Sequence, residues 1–237
     1  NVLHMSSGLY PMDDHFNWVR GSHMVYFGGW DAGFHPRDRG LLFEPGTVFN
    51  YENYDILLGL HALREVMPSE HEYREFPHRE LLRKIGMRNT VLGMDRYGNY
   101  VMSSQIYTNA RDLARFGLLY LNNGRWNGEQ VVPEAWVDFV RTPAPTTRES
   151  GNQYGGQFWL VPDSRTDLPQ DAFATSGAQG QYTIIVPSHD LVVVRRGLDW
   201  RQGSPGPGLN SWDLLAEILK AFPAREGGSK LMSGGEE

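Results

Sequence analysis

The chain has 237 residues, 40% of them hydrophobic and 12% aromatic, enough to bury a sizeable core in one large domain or two smaller layers. Its net charge of -6, with acidic and basic residues interspersed, argues against nucleic acid or an anionic membrane surface as a partner. The lack of cysteine excludes disulfides and thiolate zinc sites, and no apolar run approaches the roughly 18 residues that a membrane-spanning helix needs.

The first segment, "NVLHMSSGLYPMDD", has neither a basic region nor an apolar stretch followed by small residues, so it does not read as a signal peptide. It reads as if begun in mid-helix, and the expectation is a chain that starts inside a longer protein. "YFGGWDAGFHPRDRG" (Tyr26 to Gly40) reads as irregular structure that either lines a site or forms a surface excursion pinned by Trp30 and Phe34. Ile56, Leu57, Leu60 and Leu63 recur at helical spacing between Asn53 and Val66, and the Pro45-Gly46 turn sets Tyr51 at the entry to that helix. A second short helix is expected over His78 to Met87, stopped by Gly86.

The clearest helix lies in "TNARDLARFGLLYLNNG" (Thr108 to Gly124), with Asn109 as N-cap, Leu113, Phe116, Leu119 and Tyr120 on its apolar face, and Asn123-Gly124 closing it. A tight turn follows at Asn127-Gly128, and Pro133 opens a further helix through Val140. After about residue 150 the period becomes that of strands: "YGGQFWLV", "GQYTIIVP" and "DLVVVRRG", the last two forming a hairpin between Pro187 and Asp190. "SWDLLAEILKAF" is an amphipathic helix with Leu215, Ile218, Leu219 and Phe222 on one face, suited to cover that sheet. The order gives an α+β fold: a mostly helical region over 1–148, antiparallel strands and a closing helix over 149–222, and a small, polar, disordered tail over 223–237.

Catalytic candidates are few. Gly-x-Ser-x-Gly and His-Glu-x-x-His are both absent, and His71, Glu72 and His78 read as a solvated charged face. Tyr51, in the triplet Tyr51-Glu52-Asn53, would serve as a general base if a neighbouring cation lowered its pKa, with Asn53 holding that cation or a substrate carbonyl; the plain alternative is a capping and packing site. Small residues from Ala174 to Gly180 ahead of an apolar strand leave either an open sheet edge with a main-chain N–H aimed at an oxyanion or a simple Gly-rich loop.

Together these segments resemble the serine β-lactamase and penicillin-recognising superfamily, in the branch of class C β-lactamases, DD-peptidases, related esterases and 6-aminohexanoate-oligomer hydrolases. "VLHMSSGL" resembles the family's helix following the nucleophile region, "PGTVFNYENYDILLG" its Tyr-x-Asn segment, "ARDLARFGLLYLNNGRWNGEQVVPEAWV" a long and specific family stretch, and "TSGAQGQYTIIVPSHDLVVVRRG" the third-motif strand and its hairpin. The likeness runs from Val2 to about Phe222. It implies a β-lactamase/transpeptidase-like fold and a serine hydrolase that forms an acyl-enzyme from an ester or amide, with no metal or organic cofactor. It implies Tyr51 as base for acylation and acid toward the leaving group, and Asn53 as the group orienting lysine and substrate. It sets Thr175, Ser176 and Gly177 where β-lactamases have Lys-Thr-Gly, and the Ala178 N–H as an oxyanion donor. The compartment it implies is periplasmic or secreted.

Two departures qualify the resemblance. Thr175 stands where Lys-Thr-Gly enzymes carry the cation that grips a β-lactam carboxylate, and Arg195 or Arg196 would replace it only if the fold brought one close. The three lysines, Lys84, Lys220 and Lys230, are preceded at three places by Leu81, Glu217 and Gly227, so no Ser-x-x-Lys motif exists in the chain. Serine, lysine and the strands completing the sheet are therefore expected upstream, supplied by a missing N-terminal part, while Ser6 and Ser7 are poor substitutes. The alternatives are an inactive fragment, or a ligand-binding protein on the same scaffold, with the loop Tyr26 to Phe34 and Tyr107, Tyr154 and Trp159 lining an apolar cleft.

Overall fold

The computed structural model describes residues 1–12, 22–27, 29–144, 153–199 and 209–224. The boundary expected at 148/149 and the tail from 225 onward lie outside them. In chain order the elements are a 3-10 turn at Val2–His4, α1 (Ser22–Tyr26), α2 (Asn53–Val66), α3 (Glu70–Pro77), β1 (Val91–Leu92) and β2 (Ile106–Tyr107). These are followed by α4 (Ala110–Leu121), β3 (Arg125–Trp126), β4 (Glu129–Gln130), α5 (Glu134–Arg141), β5 (Gln153–Tyr154) and β6 (Trp159–Leu160). The chain then forms β7 (Phe173–Gly177), β8 (Gln181–Val186), β9 (Leu191–Arg196) and α6 (Ser211–Leu219). Helices dominate before the strands of the main sheet, the α+β order expected from the sequence, but the helix expected at the chain start is only the 3-10 turn, which ends where Met5 takes a left-handed φ of 54°.

Local chemistry accounts for the element ends. Asn109 caps α4 by accepting from the Asp112 N–H, and Asn210 caps α6 by accepting from Trp212 and Asp213. Asn127 and Gly128 take φ of 48° and 84° between β3 and β4, the left-handed pair that a two-residue hairpin requires. The second helix begins earlier than its apolar pattern indicates: Ser69 caps it by accepting from the Glu72 N–H, α3 runs from Glu70, and His78–Leu82 continues it as a wider turn. Charged residues fill that first part, so hydrophobic spacing alone could not reveal it.

The five-stranded sheet is antiparallel, in the order β5-β6-β7-β8-β9. Two expectations need correction here. "YGGQFWLV" is a hairpin of two short strands, because Gly155 and Gly156 pack so closely on the Phe139–Val140 turn of α5 that the chain doubles back there. The small-residue segment is itself a strand, β7, paired with β8 from Phe173↔Ile185 to Gly177↔Gln181.

β8 is buried along nearly its whole length because both sheet faces are covered. On one face Phe173 and Ile185 meet Tyr120 of α4 and Val137 and Val140 of α5. On the other, Ala174, Ile184 and Val186 meet Trp212 and Leu215 of α6, side chains whose burial contributes on the order of 2 kcal/mol each. Trp212 replaces the expected Phe222 on that face; α6 ends at Leu219 and leaves Phe222 54% exposed. A separate cluster of Val25, Ala32, Tyr54, Leu57 and Val101 anchors α2, and Ile56, Leu60 and Leu63 are only half-buried.

Candidate active site

Tyr51 is positioned from both sides. The Asn50 N–H donates to Met5 O and the Gly46 N–H to Ser6 O, which stitches the segment before it to the chain start. After it, the buried Glu52 caps α2, its carboxylate accepting from the Tyr54 and Met12 N–H groups. The Tyr51 ring is thereby turned away from the helix and against the β5–β6 hairpin. It stacks on Trp159 with centroids 5.3 Å apart and meets Tyr154 edge-on at 5.8 Å, while Phe49 approaches Tyr154 at 5.5 Å. Tyr154 is buried, which pushes its phenol well above the ordinary range and keeps it neutral. Tyr51 remains 41% exposed.

Trp159 pairs directly with Ala174, and β6 covers β7 only over Phe173 and Ala174. Thr175, Ser176 and Gly177 therefore continue past the end of β6 with that edge uncovered by any strand among the described residues. Ser176, Gly177 and Ala178 are exposed, and Thr175 is half-buried. Tyr51 and the β7 edge are thus joined through one residue, Trp159. Asn53 opens α2, two residues from Tyr51, and is half-buried.

The chain's other candidates are committed elsewhere. The Ser6 hydroxyl is buried and donates to His4 O, and the Ser7 hydroxyl donates to Asp55 Oδ1 at 2.8 Å. Asp55 in turn is held by Arg39 at 2.8 Å, a pair whose side chains are 1% and 2% exposed. Ser7 and Asp55 also line a cavity of about 250 Å³ with Gly8, Phe43, Phe49 and Glu52, of which Tyr51 is not a part. Lys84 pairs with Glu80 and Glu129, and Lys220 with Glu217; Lys230 lies outside the described residues. Glu72 is engaged with Arg79 on an exposed face, and no group of three or more metal-ligating side chains occurs among the described residues.

Arg195 comes near the end of the β7 edge. It sits opposite Tyr182, which sits opposite Ser176, and its Nη1 donates to Gly180 O at 2.9 Å in the 178–180 turn. Both terminal nitrogens also donate to Asp199, at 2.7 and 2.5 Å, and this hydrogen bonding holds the Asp199 carboxyl below the usual carboxylate range. Arg196 is exposed at the end of β9.

The aromatic set proposed for a cleft divides. Tyr154 and Trp159 join Tyr51, whereas Tyr26 and Trp30 pack on the α2 cluster, and Tyr107 is 63% exposed on β2. The Tyr26–Gly40 excursion is fixed by Trp30 and by Asp95, which accepts from the Ala32 N–H; Phe34 is 44% exposed. Sequence reasoning missed Asp199, whose only signal was its place four residues after Arg195. It also missed the buried Arg39–Asp55 pair.

Comparison with known proteins agrees with this architecture. A protein of Alkalihalophilus pseudofirmus without assigned function is 32% identical over 149 residues, covering 60% of this chain and 42% of that protein. A candidate 6-aminohexanoate-dimer hydrolase from Bacillus anthracis superposes with a TM-score of 0.71 at 21% identity, over 94% of this chain and 61% of the other. A candidate beta-lactamase from Bacteroides dorei gives 0.62 at 16% identity, over 93% and 70%. The chain thus spans under two thirds of the length of the first two. The family model for Beta-lactamase matches residues 1–195, and the chain belongs to that family.

Proposed function

We propose that this chain carries the tyrosine and substrate-edge half of a serine hydrolase that cleaves an ester or amide bond through an acyl-enzyme. A segment upstream of Asn1 supplies the nucleophilic serine, its lysine and the strand that pairs with β9. Tyr51, as phenolate beside that lysine, takes the serine proton as the serine oxygen bonds to the carbonyl carbon, then passes it to the leaving group as the old bond breaks. Asn53 orients the lysine and the substrate. Thr175, Ser176 and Gly177 pair with the substrate backbone, and the Ala178 N–H donates to the developing oxyanion. Water then releases the acyl group.

The observation that supports this reading best is the stacking of Tyr51 on Trp159, the residue directly opposite Ala174, so that the tyrosine stands beside the uncovered stretch of β7. β9 supports the upstream strand. Val192 and Val193 are half-buried against helices on the two faces of the sheet, and β9 is the last strand in its order among the described residues, so its outer edge is where the upstream strand would pair.

The test is labelling by a fluorophosphonate serine probe of the gene product that includes the upstream segment, with and without Tyr51→Phe. Labelling at an upstream serine, slowed by the substitution, is expected. A second reading, a ligand-binding protein without turnover, is favoured by the missing Ser-x-x-Lys and predicts no labelling in either form.

A further inference from the structure

We propose that Asp199 is a specificity-determining residue: by engaging Arg195 against the 178–180 turn, it silences a cation bonded to that turn and sets the site for an acyl group that lacks a carboxylate. The inference rests on the hydrolase reading above and narrows its substrate class to uncharged esters or amides bearing a flat apolar group.

The clasp is built from both chain segments. Arg195 Nη1 donates to Gly180 O, and the Asp199 main-chain N–H donates to Gln179 O at 3.1 Å, so the guanidinium and the backbone that carries the carboxylate are both anchored on the turn that follows β7. The guanidinium is seated against the turn backbone: a Cβ on Gly180 would lie 1.9 Å from Arg195 Nη1 and 2.2 Å from Asp199 Oδ2. The same cation lies 5.8 Å from the centroid of the Tyr182 ring, the residue opposite Ser176. The two side chains are 24% and 15% exposed, which limits screening by salt.

Two-nitrogen donation to one carboxylate is the geometry in which an arginine grips an anionic substrate. Here an internal carboxylate already holds that geometry. An incoming carboxylate must compete with a tethered one at high effective concentration, and it meets a neutral pair. At the other end of β7, Tyr51 is 41% exposed beside Trp159, and the exposed part of this aromatic pair is a surface on which a flat apolar group loses water without needing a charge partner.

The experiment is a fluorescence titration of the gene product that includes the proposed upstream segment with phenylacetamide and with phenylacetate, the Trp159 signal being identified by its loss in Trp159→Phe. The native protein is expected to bind the amide about tenfold more tightly than the carboxylate. Asp199→Asn should raise phenylacetate affinity by about tenfold and leave phenylacetamide within about twofold, and adding Arg195→Gln should remove the gain. Should Asp199→Asn not fold, Arg195→Gln alone leaves Asp199 unpaired and should weaken phenylacetate while sparing the amide. Arg196→Gln is the control and should leave the selectivity unchanged. Equal affinity of the native protein for both ligands, or a response of Asp199→Asn that is the same for both, overturns the role of Asp199 alone. Absence of any Trp159-dependent binding in every variant overturns the hydrolase site reading with it.

Discussion

Tyr51 and Trp159 stack with their ring centroids 5.3 Å apart, and Trp159 pairs with Ala174 on β7, so a residue at the mouth of α2 is packed against the sheet about 110 residues later in the chain. Removing the phenol oxygen alone isolates its chemistry from this packing. In a gene product that carries the proposed upstream segment, Tyr51→Phe should lower kcat by about 10²- to 10⁴-fold with KM little changed. Trp159→Ala should instead act mainly on KM. Ester hydrolysis kinetics distinguish the two, and an unchanged kcat in Tyr51→Phe would remove the tyrosine from the mechanism.

The Arg39–Asp55 pair anchors the segment that carries Tyr51. With side chains 1% and 2% exposed, Arg39→Met strands a buried carboxylate that also accepts from Ser7 and should cost about 3–5 kcal/mol. The double variant Arg39→Met/Asp55→Leu should recover most of that loss. Urea denaturation measures both, and a cost below about 1 kcal/mol for Arg39→Met would show the pair to be solvated.

His4 links the chain start to α5. Its ring stacks on Phe139 at 4.3 Å, Nε2 is buried without a partner, and burial holds the imidazole below its ordinary pKa. The unfolded chain therefore binds that proton more readily than the folded one. The stability contribution is full above about pH 6.5 and is lost as pH falls toward the folded-state value. The urea midpoint should drop between pH 7.5 and pH 5.5, and His4→Gln should reduce that drop; an identical drop in both proteins would contradict the assignment.

α4 approaches the sheet at Gly117, where a Cβ would lie 2.5 Å from Val192 Cγ1 and 3.1 Å from Thr183 Cγ2. Gly117→Ala overpacks a contact between two β-branched side chains and should cost about 1–3 kcal/mol despite alanine's better helix propensity. Thermal or urea unfolding checks this. A stabilised variant would mean that helix and strand separate at no cost.

Much of this fold was legible because its signals are local. Asn109, Asn127-Gly128 and Pro187 to Asp190 mark their cap, turn and hairpin by residue type alone. The Gly155–Gln157 turn was hidden in an apolar run, since the bend there comes from contact with α5 rather than from a turn dipeptide. α3 was hidden for the opposite reason: its cap, Ser69, precedes a charged stretch with little apolar periodicity. At the site, Tyr51 and the Thr175–Gly177 edge stood out by resemblance, but their connection through Trp159 is tertiary. The tie between Arg195 and Asp199 depends on how residues 195–199 fold back over the 178–180 turn, which no periodicity encodes.

Whether the nucleophile lies outside this chain is decided by intact-mass analysis with peptide mapping after exposure to a fluorophosphonate probe, applied to this chain and to a gene product that carries the proposed upstream segment. No adduct is expected on the chain, and one stoichiometric adduct is expected on an upstream serine of the longer protein. A stoichiometric adduct on Ser6, Ser7 or Ser176 of the chain itself would contradict it.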